Sequence, residues 1–451
     1  MPGSTSRKPV DSGSMRYPST PPGLAASVAR TEVLSPIRHV VFVCLVFHPD
    51  TAASSMLFTD LFRSLSRNSL QVTVFCGFPS KDSLEDVKQL ARHEFLDGVE
   101  IVRCGLRIRG KRHLAARAAA YGSFLAHAGW KLLKLKGAPT ILGGTDPPFT
   151  VAALWLLSRL RPLAYECVVL DLYPDGLVAL GSLGDRALPT RLWRWFNRKG
   201  YAGARRIFVI SRDSIRLLQQ RYGVDPSKVV YIPHWGTVEV EEVVPGERGP
   251  LIIQLGLQDK FVVQYSGNMG LWHDMDTFVQ AANLLRDNER VHFLFIGKGM
   301  RRAHAESLAS KLQLSNITWM DFLPREQLPQ SLASCDAALV SLRAGLEGVA
   351  VPSKLYGILA AGKAVVAQVP PESEVAYAVE ESQCGIVVPP GDARALATAI
   401  ARLASDSELV QNMGKRARQA YISRYTIGQA VKAYLEVWGH PRPDERTSFL
   451  P

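Results

Sequence analysis

The chain of 451 residues is poor in cysteine and in long apolar runs. Its six cysteines form no C-x-x-C pair and no Cys/His cluster, which argues against structural zinc and indicates a reduced, cytoplasmic protein. The most apolar window, residues 147–157, is closed by Arg159 and Arg161 and is too short to cross a bilayer. These absences exclude disulfide-stapled secreted proteins and proteins that span a membrane.

Acidic residues are scarce in the first half of the chain. From Arg38 to Trp235 there are 28 Lys and Arg against 15 Asp and Glu, a net charge of +13, whereas residues 236–451 hold 21 against 24, or −3. Between Glu100 and Asp146 there is no acid but there are nine basic residues, namely Arg103, Arg107, Arg109, Lys111, Arg112, Arg117, Lys131, Lys134 and Lys136. The basic charge therefore belongs to the N-terminal half.

Apolar or small residues recur at helical spacing through this basic segment, at Leu114, Ala118, Tyr121, Leu125, Ala128 and Leu132. A helix with an apolar face and a cationic border can lie on an anionic membrane surface. It can also pack its apolar face into a core and leave its outer face in water. We expect an anionic membrane surface as a partner of the N-terminal domain, and a peripheral location on the inner face of the membrane. Nucleic acid is not expected, because no RNA- or DNA-binding motif is recognised.

Short apolar or β-branched runs alternate with longer helical patterns, which is typical of βαβ units and parallel sheets. Seven strands are predicted in the first half, over residues 40–46, 72–75, 99–102, 140–142, 165–170, 207–210 and 229–232. Six are predicted in the second half, over residues 261–265, 291–296, 317–319, 337–342, 364–367 and 386–388. The same architecture occurs twice. We therefore predict an α/β protein with two Rossmann-like, doubly wound domains that face a central cleft.

Composition also predicts where the domains end. Residues 1–37 are rich in Pro, Ser, Gly and Thr and lack the apolar core of a secretion signal, so we expect a disordered leader. The two domains are predicted over residues 38–235 and residues 251–438, the second with a closing helix. A solvated linker rich in Glu, Pro and Gly joins them over residues 236–250, and residues 439–451 form a tail.

The most informative segment runs from Leu346 to Ala367. Pro352 suits a helix start, because proline lacks the N–H that would be unpaired there anyway. Ser353 and Lys354 lie in the first predicted turn, and Gly362 marks the predicted end. Unpaired amides, a hydroxyl and a cation at a helix start can hold a phosphate. Capping alone is the plainer interpretation of Pro-Ser-Lys.

Three further polar loops follow predicted strands of the second half. Glycines in such loops let backbone amides approach a ligand closely, because no Cβ stands in the way. In an open parallel sheet the carboxyl ends of the strands meet at one edge, where such folds bind ligands. We therefore predict one anion-binding pocket, formed by Gly267, Asn268, Met269, Gly270, Gly297, Lys298, Phe322, Leu323, Ser353 and Lys354.

Four motifs taken together resemble a known family. They are Thr145 to Phe149, Leu170 to Asp175, Ser266 to Gly270, and Val351 to Tyr356. Over about residues 40–438 the chain resembles the retaining nucleotide-sugar glycosyltransferases of the GT-B fold, family four, often called group 1. Within that family it resembles the bacterial members that add fucosamine-type or other hexose units to lipid-linked O-antigen, capsule or exopolysaccharide precursors.

The resemblance implies that the C-terminal domain binds a nucleoside diphosphate sugar and the N-terminal domain binds the acceptor, with no cofactor besides the donor. The chain also departs from the family. The usual pair of glutamates is absent, because Val349 and Gly357 stand at those positions. Glu347 is the nearby candidate carboxylate, and a solvated loop acid is the alternative. The basic pair after the glycine loop is missing too, so Lys354, with Lys298 as a lesser candidate, is the expected cation for the diphosphate.

The other catalytic candidates, Asp171 and His48, lie in the N-terminal half. Asp171 ends a predicted strand and can orient or deprotonate the acceptor hydroxyl, whereas a plain turn aspartate is the alternative. His48 follows the first predicted strand, and a structural histidine is the alternative. Asp171 and Asp175 are too widely spaced to form an Asp-x-Asp metal motif. We expect a reaction without a metal, in which backbone amides and Lys354 stabilise the leaving diphosphate.

The expected function is hexosyl transfer with retention, from a nucleoside diphosphate sugar to a lipid-linked or other glycan acceptor in surface polysaccharide synthesis. A catalytically silent relative that only binds sugar nucleotides is one alternative, favoured by the missing glutamate pair. A sugar-nucleotide epimerase is another, because it shares the two-domain scaffold.

Overall fold

The structure is a computed structural model that describes residues 36–50, 52–79, 90–107, 114–236, 250–324 and 327–440. The predicted leader, linker and tail lie outside these ranges except for their edges. Three of the basic residues noted above, Arg109, Lys111 and Arg112, lie outside them as well.

The described strands form two sheets. The first contains β1 (His39–Val43), β2 (Gln71–Cys76), β3 (His93–Leu96), β4 (Val99–Arg103), β5 (Thr140–Gly144), β6 (Tyr165–Val169), β7 (Ile207–Val209) and β8 (Val229–Tyr231), in the order β3-β4-β2-β1-β5-β6-β7-β8. The second contains β9 (Phe261–Ser266), β10 (Val291–Ile296), β11 (Ile317–Met320), β12 (Ala337–Ser341), β13 (Ala364–Gln368) and β14 (Gly385–Val388), in the order β11-β10-β9-β12-β13-β14. Neighbouring strands run parallel, except that β3 and β4 are antiparallel. Each order reverses beside the first strand of its sheet, which is where such sheets bind ligands.

Helices connect the strands. Those of the first half are α1 (Ala53–Arg67), α2 (Leu114–Lys134), α3 (Thr150–Leu160), α4 (Asp175–Ala179), α5 (Leu188–Gly203) and α6 (Arg212–Tyr222). Those of the second half are α7 (Pro250–Gln254), α8 (Met275–Leu284), α9 (Arg302–Lys311), α10 (Leu328–Ser334), α11 (Lys354–Ala360), α12 (Glu374–Ser382), α13 (Ala393–Ser405), α14 (Ser407–Ala420) and α15 (Ile427–Val437). Within the described ranges, no helix combines the length and the apolar character that crossing a bilayer requires.

The predicted strands are all present, and two Rossmann-like sheets confirm the predicted fold class. Central strands such as β5, β6, β12 and β13 are buried along their whole length, because helices cover both faces of a parallel sheet. The first strand ends at Val43 and not at Val46, since the N–H of Leu45 donates instead to the carbonyl of Asp146, at 2.7 Å. The sequence did not predict β3, a polar edge strand of four residues.

The basic segment forms α2, and most of its predicted apolar stripe faces the core, where Ala128 and Leu132 are buried. Trp130 of the same helix is exposed, and Arg117 and Lys134 also remain on the outer side. The core-packed helix is therefore the better interpretation of this stripe. Contact of the basic N-terminal domain with a membrane stays a prediction.

The last helix returns to the first sheet. The ring of Tyr434 in α15 lies 4.9 Å from that of Phe208 in β7. Just after the helix, Trp438 Nε1 donates to the buried carboxylate of Glu166 at 2.9 Å. Arg206 Nη1 binds the other oxygen of Glu166 at 2.7 Å. The last described helix therefore packs on the domain that contains the first described strand.

Candidate active site

The loops after β9 and β10 pack against each other through their backbones. The N–H of Met269 donates to the carbonyl of Lys298 at 2.8 Å. A Cβ on Gly297 would lie 2.1 Å from the carbonyl oxygen of Gly267, and a Cβ on Gly299 would lie 2.4 Å from that of Met269. Only glycine fits at both positions, and Gly297 also has a φ of +132°. The two predicted loops thus form one backbone surface at the carboxyl edge of the second sheet.

The side chains of the glycine loop contribute little to that surface. Met269 is fully buried and packs into the core of the second sheet, so it offers only its backbone to a ligand. Asn268 is exposed, and its carbonyl accepts a hydrogen bond from the hydroxyl of Tyr265 at 2.8 Å. Gly267 and Gly270 carry no side chain. The loop therefore presents main-chain groups, as the sequence predicts for a phosphate site.

Lys354 lies directly beside this loop. A Cβ on Gly267 would be 3.5 Å from Lys354 Cε and 3.7 Å from its Nζ. The ammonium group sits 3.5 Å from the centre of the Tyr265 ring, a cation–π contact. Its Nζ is buried without a hydrogen-bond partner. Burial lowers the pKa of Lys354 well below its ordinary value. A buried amino group that donates no hydrogen bond lowers the stability of the folded protein unless a ligand accepts from it.

Helix α11 is shorter than the sequence predicts. It spans only seven residues, from Lys354 to Ala360, and Gly362 follows it with a φ of +61°. Ser353 precedes the helix and makes no capping hydrogen bond through its side chain. So short a helix supplies a weak dipole. The N–H groups of Gly267 and Met269 already donate to the carbonyls of Ile296 and Lys298, at 2.9 and 2.8 Å, so any anion bound here must rely mainly on Lys354.

The other predicted pocket residues lie at the same edge. Phe322 is largely exposed, and its ring is 3.2 Å from where a Cβ on Gly297 would stand. Leu323 is half-buried and packs against the core. Lys298 is exposed and its Nζ binds Asp321 at 2.8 Å, so this cation already has a carboxylate partner. Lys298 is therefore a poorer diphosphate ligand than Lys354.

Sequence reasoning missed Arg302, which ties the loops of this edge together. Its Nη1 donates to the carbonyls of Gly297 and Met320 and to Asp321, at 2.6, 3.0 and 2.7 Å. Because these hydrogen bonds already occupy Nη1, Arg302 holds the loops in place, and an anion would have to be bound by other groups. Its position at the start of α9, just after the loop of residues 297–299, was the sequence feature that could have indicated this role.

Asp171 lies at the carboxyl edge of the first sheet, beside Asp146. Its N–H points to Thr145 Oγ1 at 3.5 Å, which joins the loops after β5 and β6. Burial, and secondarily the charge of Asp146, raises the pKa of Asp171 to about 7. The neighbouring Tyr173 has its pKa raised to about 12, first by burial and then by Asp171. A carboxyl group poised near neutral pH is suited to accept a proton.

His48 is half-buried in the loop that follows β1. Burial lowers the pKa of its imidazole. Its backbone carbonyl accepts a hydrogen bond from Arg103 Nη2 at 3.0 Å, and the same Nη2 binds Glu94 at 2.6 Å. The structure thus gives this segment a structural anchor, and it places His48 at the same edge of the sheet as Asp171.

Glu347 lines a cavity of about 450 Å³ together with Asp175, Arg194, Arg216 and Arg221. No predicted pocket residue of the second domain, all of which are described, belongs to that lining. Its carboxylate accepts a hydrogen bond from its own loop, from Gly345 N at 2.8 Å. The geometry therefore fits the solvated loop acid that was the alternative at this position.

The loop that carries Glu347 is held by the first domain. The carboxylate of Asp213, in α6, accepts a hydrogen bond from Gly348 N at 2.7 Å, and Ser214 Oγ donates to the carbonyl of Gly348 at 3.0 Å. On the other side, Leu172 N donates to the carbonyl of Val349 at 3.0 Å. Because Leu172 follows Asp171, the loop ties the two candidate regions together. Asp213 was missed because its partner lies 135 residues away in sequence.

The sequence was predicted to contain no Asp-x-Asp metal motif, but one such triplet does occur, at Asp274 and Asp276. Asp274 caps α8 by accepting from the backbone N–H of Thr277 at 3.3 Å, and its other oxygen accepts from the Thr277 hydroxyl at 2.7 Å. Asp276 pairs with Arg301 at 2.9 Å. In the part of the chain that the structure covers, no three His, Cys, Asp or Glu side chains are grouped so as to hold a metal ion.

The two halves of the chain match two family models. The family described as "Glycosyl transferases group 1" matches residues 251–420, and a "Glycosyl transferase 4-like domain" matches residues 55–235. WbjE of Pseudomonas aeruginosa, named as a glycosyltransferase, is 32% identical over 260 residues, which are 58% of this chain and 64% of WbjE. WcaI of Escherichia coli K12, named for a glycosyl transferase of colanic acid biosynthesis, is 27% identical over 266 residues, 58% of this chain and 65% of WcaI. The chain thus spans just under two thirds of these relatives.

Solved structures share the same architecture. WaaG, a glycosyltransferase involved in lipopolysaccharide biosynthesis, superposes with a TM-score of 0.65 at 16% identity, over 88% of this chain and 99% of WaaG. HepE of Anabaena, solved with UDP-glucose, gives 0.65 at 15% identity, over 91% of this chain and all of HepE. At such identities the likeness concerns the fold. With both halves matched by family models and both sheets in this strand order, the chain belongs to the group 1 glycosyltransferases of the GT-B fold, as its four motifs predict.

Proposed function

We propose that the protein transfers a hexose from a nucleoside diphosphate sugar to a glycan acceptor. The observation that carries the proposal is the buried Nζ of Lys354, which has no hydrogen-bond partner and lies beside Gly267. A diphosphate supplies the oxygen acceptors that this group lacks. HepE, a structural neighbour, was solved with UDP-glucose, which supports a uridine nucleotide as the first donor to test.

The leaving diphosphate gains negative charge as the anomeric bond breaks, and this charge is what the site must stabilise. In the free protein burial lowers the pKa of Lys354. A bound diphosphate reverses that effect, because an adjacent anion favours the charged amine. Lys354 would then stand as a full cation where the charge develops, beside the main-chain groups of Gly267 and Gly270.

On the acceptor side, Asp171 is the proposed base or orienting group. With a pKa raised to about 7, its carboxylate form dominates only above neutral pH. His48, on the loop after β1, is proposed as a second polar contact for the acceptor. Glu347 is the weakest of the three catalytic candidates, since it lines a separate cavity.

Retention and metal independence are further parts of the proposal. Retention follows from the family resemblance, and NMR of the anomeric proton of the product tests it. For metal independence the support is that Lys354 offers a positive charge beside the glycine loop once an anion binds. Full turnover in excess chelator is expected, and a strict need for magnesium or manganese would overturn this part.

The proposed pathway is the synthesis of a bacterial surface polysaccharide, with a lipid-linked acceptor. WcaI is named for colanic acid biosynthesis and WaaG is described as acting in lipopolysaccharide biosynthesis, which supports this class. A lipid-linked acceptor would require the enzyme to work as a peripheral protein on the inner face of the membrane.

A silent protein that only binds sugar nucleotides is the second candidate, and the missing glutamate pair at Val349 and Gly357 favours it. An epimerase is the third. Thermal-shift screening against UDP-, GDP- and dTDP-sugars should select one nucleotide class, because a ligand that binds only the folded protein raises its melting temperature. The selected donor is then incubated without acceptor. Slow hydrolysis supports the transferase, sugar interconversion supports an epimerase, and an unchanged donor supports a silent protein.

A further inference from the structure

Five large apolar side chains are exposed on two neighbouring helices of the first domain. They are Leu156 (49% exposed) and Leu160 (76%) in α3, and Leu188 (75%), Leu192 (53%) and Trp195 (45%) in α5. We name these five residues the α3–α5 face. The spacing within each helix puts its members on one side. The two helices meet where the ring of Trp155 lies 5.8 Å from that of Trp195, edge to face. Exposed apolar side chains that cluster in this way mark a contact surface.

The helix layer around this face is entirely cationic. Helix α2 contains three Lys and Arg, α3 contains one and α5 contains four, and none of the three helices contains Asp or Glu. Four of these cations, Arg159, Arg191, Arg198 and Lys199, are exposed beside the apolar residues. Lys199 Nζ lies 5.8 Å from the centre of the Trp195 ring. Leucine and tryptophan in a row with a cationic border are typical of helices that lie in a lipid interface.

An aromatic stack leads from this helix layer towards the acceptor side of the candidate site. The exposed ring of Phe149, at the start of α3, stacks on Trp193 of α5 at 4.4 Å. Trp193 in turn lies nearly parallel to Tyr173, at 6.3 Å and 10°. Tyr173 is two residues from Asp171, whose charge contributes to the raised pKa of the tyrosine. Helix α5, which carries three residues of the α3–α5 face, is therefore linked by stacked rings to the loop of the proposed base.

We propose that the α3–α5 face docks the protein onto an anionic lipid bilayer, with Leu188, Leu192 and Trp195 inserted among the headgroups. The inference rests on the proposed function only for its purpose, which is to bring a lipid-linked acceptor to Asp171. A second copy of the chain is a poor occupant, because two identical faces with cations and no acids repel each other. An anionic surface satisfies both the apolar row and its border.

The test is flotation of the full chain with vesicles of phosphatidylcholine alone or of an equal mixture with phosphatidylglycerol. We expect binding to the anionic vesicles that weakens as salt is added. The double variant Leu192→Ser with Trp195→Ser should lose roughly tenfold or more in binding, because less apolar area enters the interface. The triple variant Arg191→Gln, Arg198→Gln, Lys199→Gln should lose roughly fivefold per cation.

Matched controls lie on the second domain. Leu284 and Ile422 have similar exposure, at 51% and 50%, and are replaced by serine in the first control. Arg286, Arg402 and Lys415 are exposed cations and are replaced by glutamine in the second. Unchanged melting curves and donor-induced thermal shifts show that a variant is folded, and they keep this test separate from that of the proposed function.

Three results would overturn the proposal. The first is equal binding to neutral and anionic vesicles, and the second is an equal loss in the controls. The third is a dimer in sedimentation analysis that the Leu192→Ser, Trp195→Ser variant dissociates, because the face would then belong to a second copy.

Discussion

The carboxyl edges of the two sheets hold ionisable groups whose charged forms are opposite in sign to the net charges of their domains. The first domain has a net charge of +13, yet its edge presents the paired carboxyl groups of Asp171 and Asp146. The second half has a net charge of −3, yet its edge holds the buried amine of Lys354 among glycines. The net charge of a domain therefore bears on which charged surfaces it can bind, whereas the chemistry at its edge depends on one or two buried groups. A donor anion fits the second edge, and an acceptor hydroxyl fits the first.

Replacing Lys354, at the edge of the second sheet, should have the largest effect on activity. Lys354→Met keeps the length of the side chain but removes the cation from the diphosphate, so we expect donor turnover to fall about a thousandfold. The variant should also melt at a higher temperature without ligand, because a buried amine without partners is replaced by an apolar group. The thermal shift with the selected sugar nucleotide should vanish.

Lys298→Met is the matched control for this variant, since Lys298 lies at the same edge but is exposed and paired with Asp321. It should lose only a few-fold in turnover and should not gain stability. Equal losses in the two variants would show that the second edge binds its anion by general charge and not through Lys354.

Replacing Asp171 tests the edge of the first sheet. Asp171→Asn should lower transfer about a hundredfold while leaving donor affinity nearly unchanged. In the wild type the raised pKa of about 7 means that the base form is present above neutral pH and is lost as the pH falls, so kcat/KM should drop tenfold per pH unit below about 7. That acid limb should be missing in the variant. A pH profile with the same limb in both proteins would remove Asp171 from the site.

The smallest expected effect concerns the loop that joins the two edges. A Cβ on Gly348 would lie 2.8 Å from the backbone oxygen of Asp213, so Gly348→Ala should displace the loop from the first domain. We expect roughly a tenfold lower transfer rate and an unchanged donor thermal shift, because the diphosphate pocket is not touched. Gly345→Ala is the control, since Gly345 also has a positive φ, of +82°, but nothing lies within 4 Å of its added Cβ. Equal rates for the two variants would contradict a positioning role for this contact.

The sequence predicted those features that depend on local pattern. Runs such as Val40 to Val43 had to be buried strands, and the glycines after β9 and β10 had to let backbones approach. Lys354 was predicted correctly as a neighbour of the glycine loop because the strand order brings all such loops to one edge. The role of each group in catalysis stays a prediction.

What the sequence did not predict depends on contacts between distant segments. The apolar stripe of α2 has the same spacing whether it meets a core or a membrane, so only packing distinguishes the two. The apolar residues exposed on α3 and α5 have the spacing of an ordinary buried helix face. Only the packing of the described helices shows that they are left uncovered. The position of Glu347 depends on Asp213 and Ser214, which belong to the other domain.

The polypeptide passes between its two domains twice, since α15 folds back onto the sheet in which the chain began. Glu166, fully buried, receives its hydrogen bond from Trp438 and its ion pair from Arg206. A recombinant fragment that stops at Trp235 would leave one oxygen of that carboxylate unsatisfied and would strip Tyr434 from Phe208. Anyone wishing to express the N-terminal half by itself must therefore graft the final helix onto it.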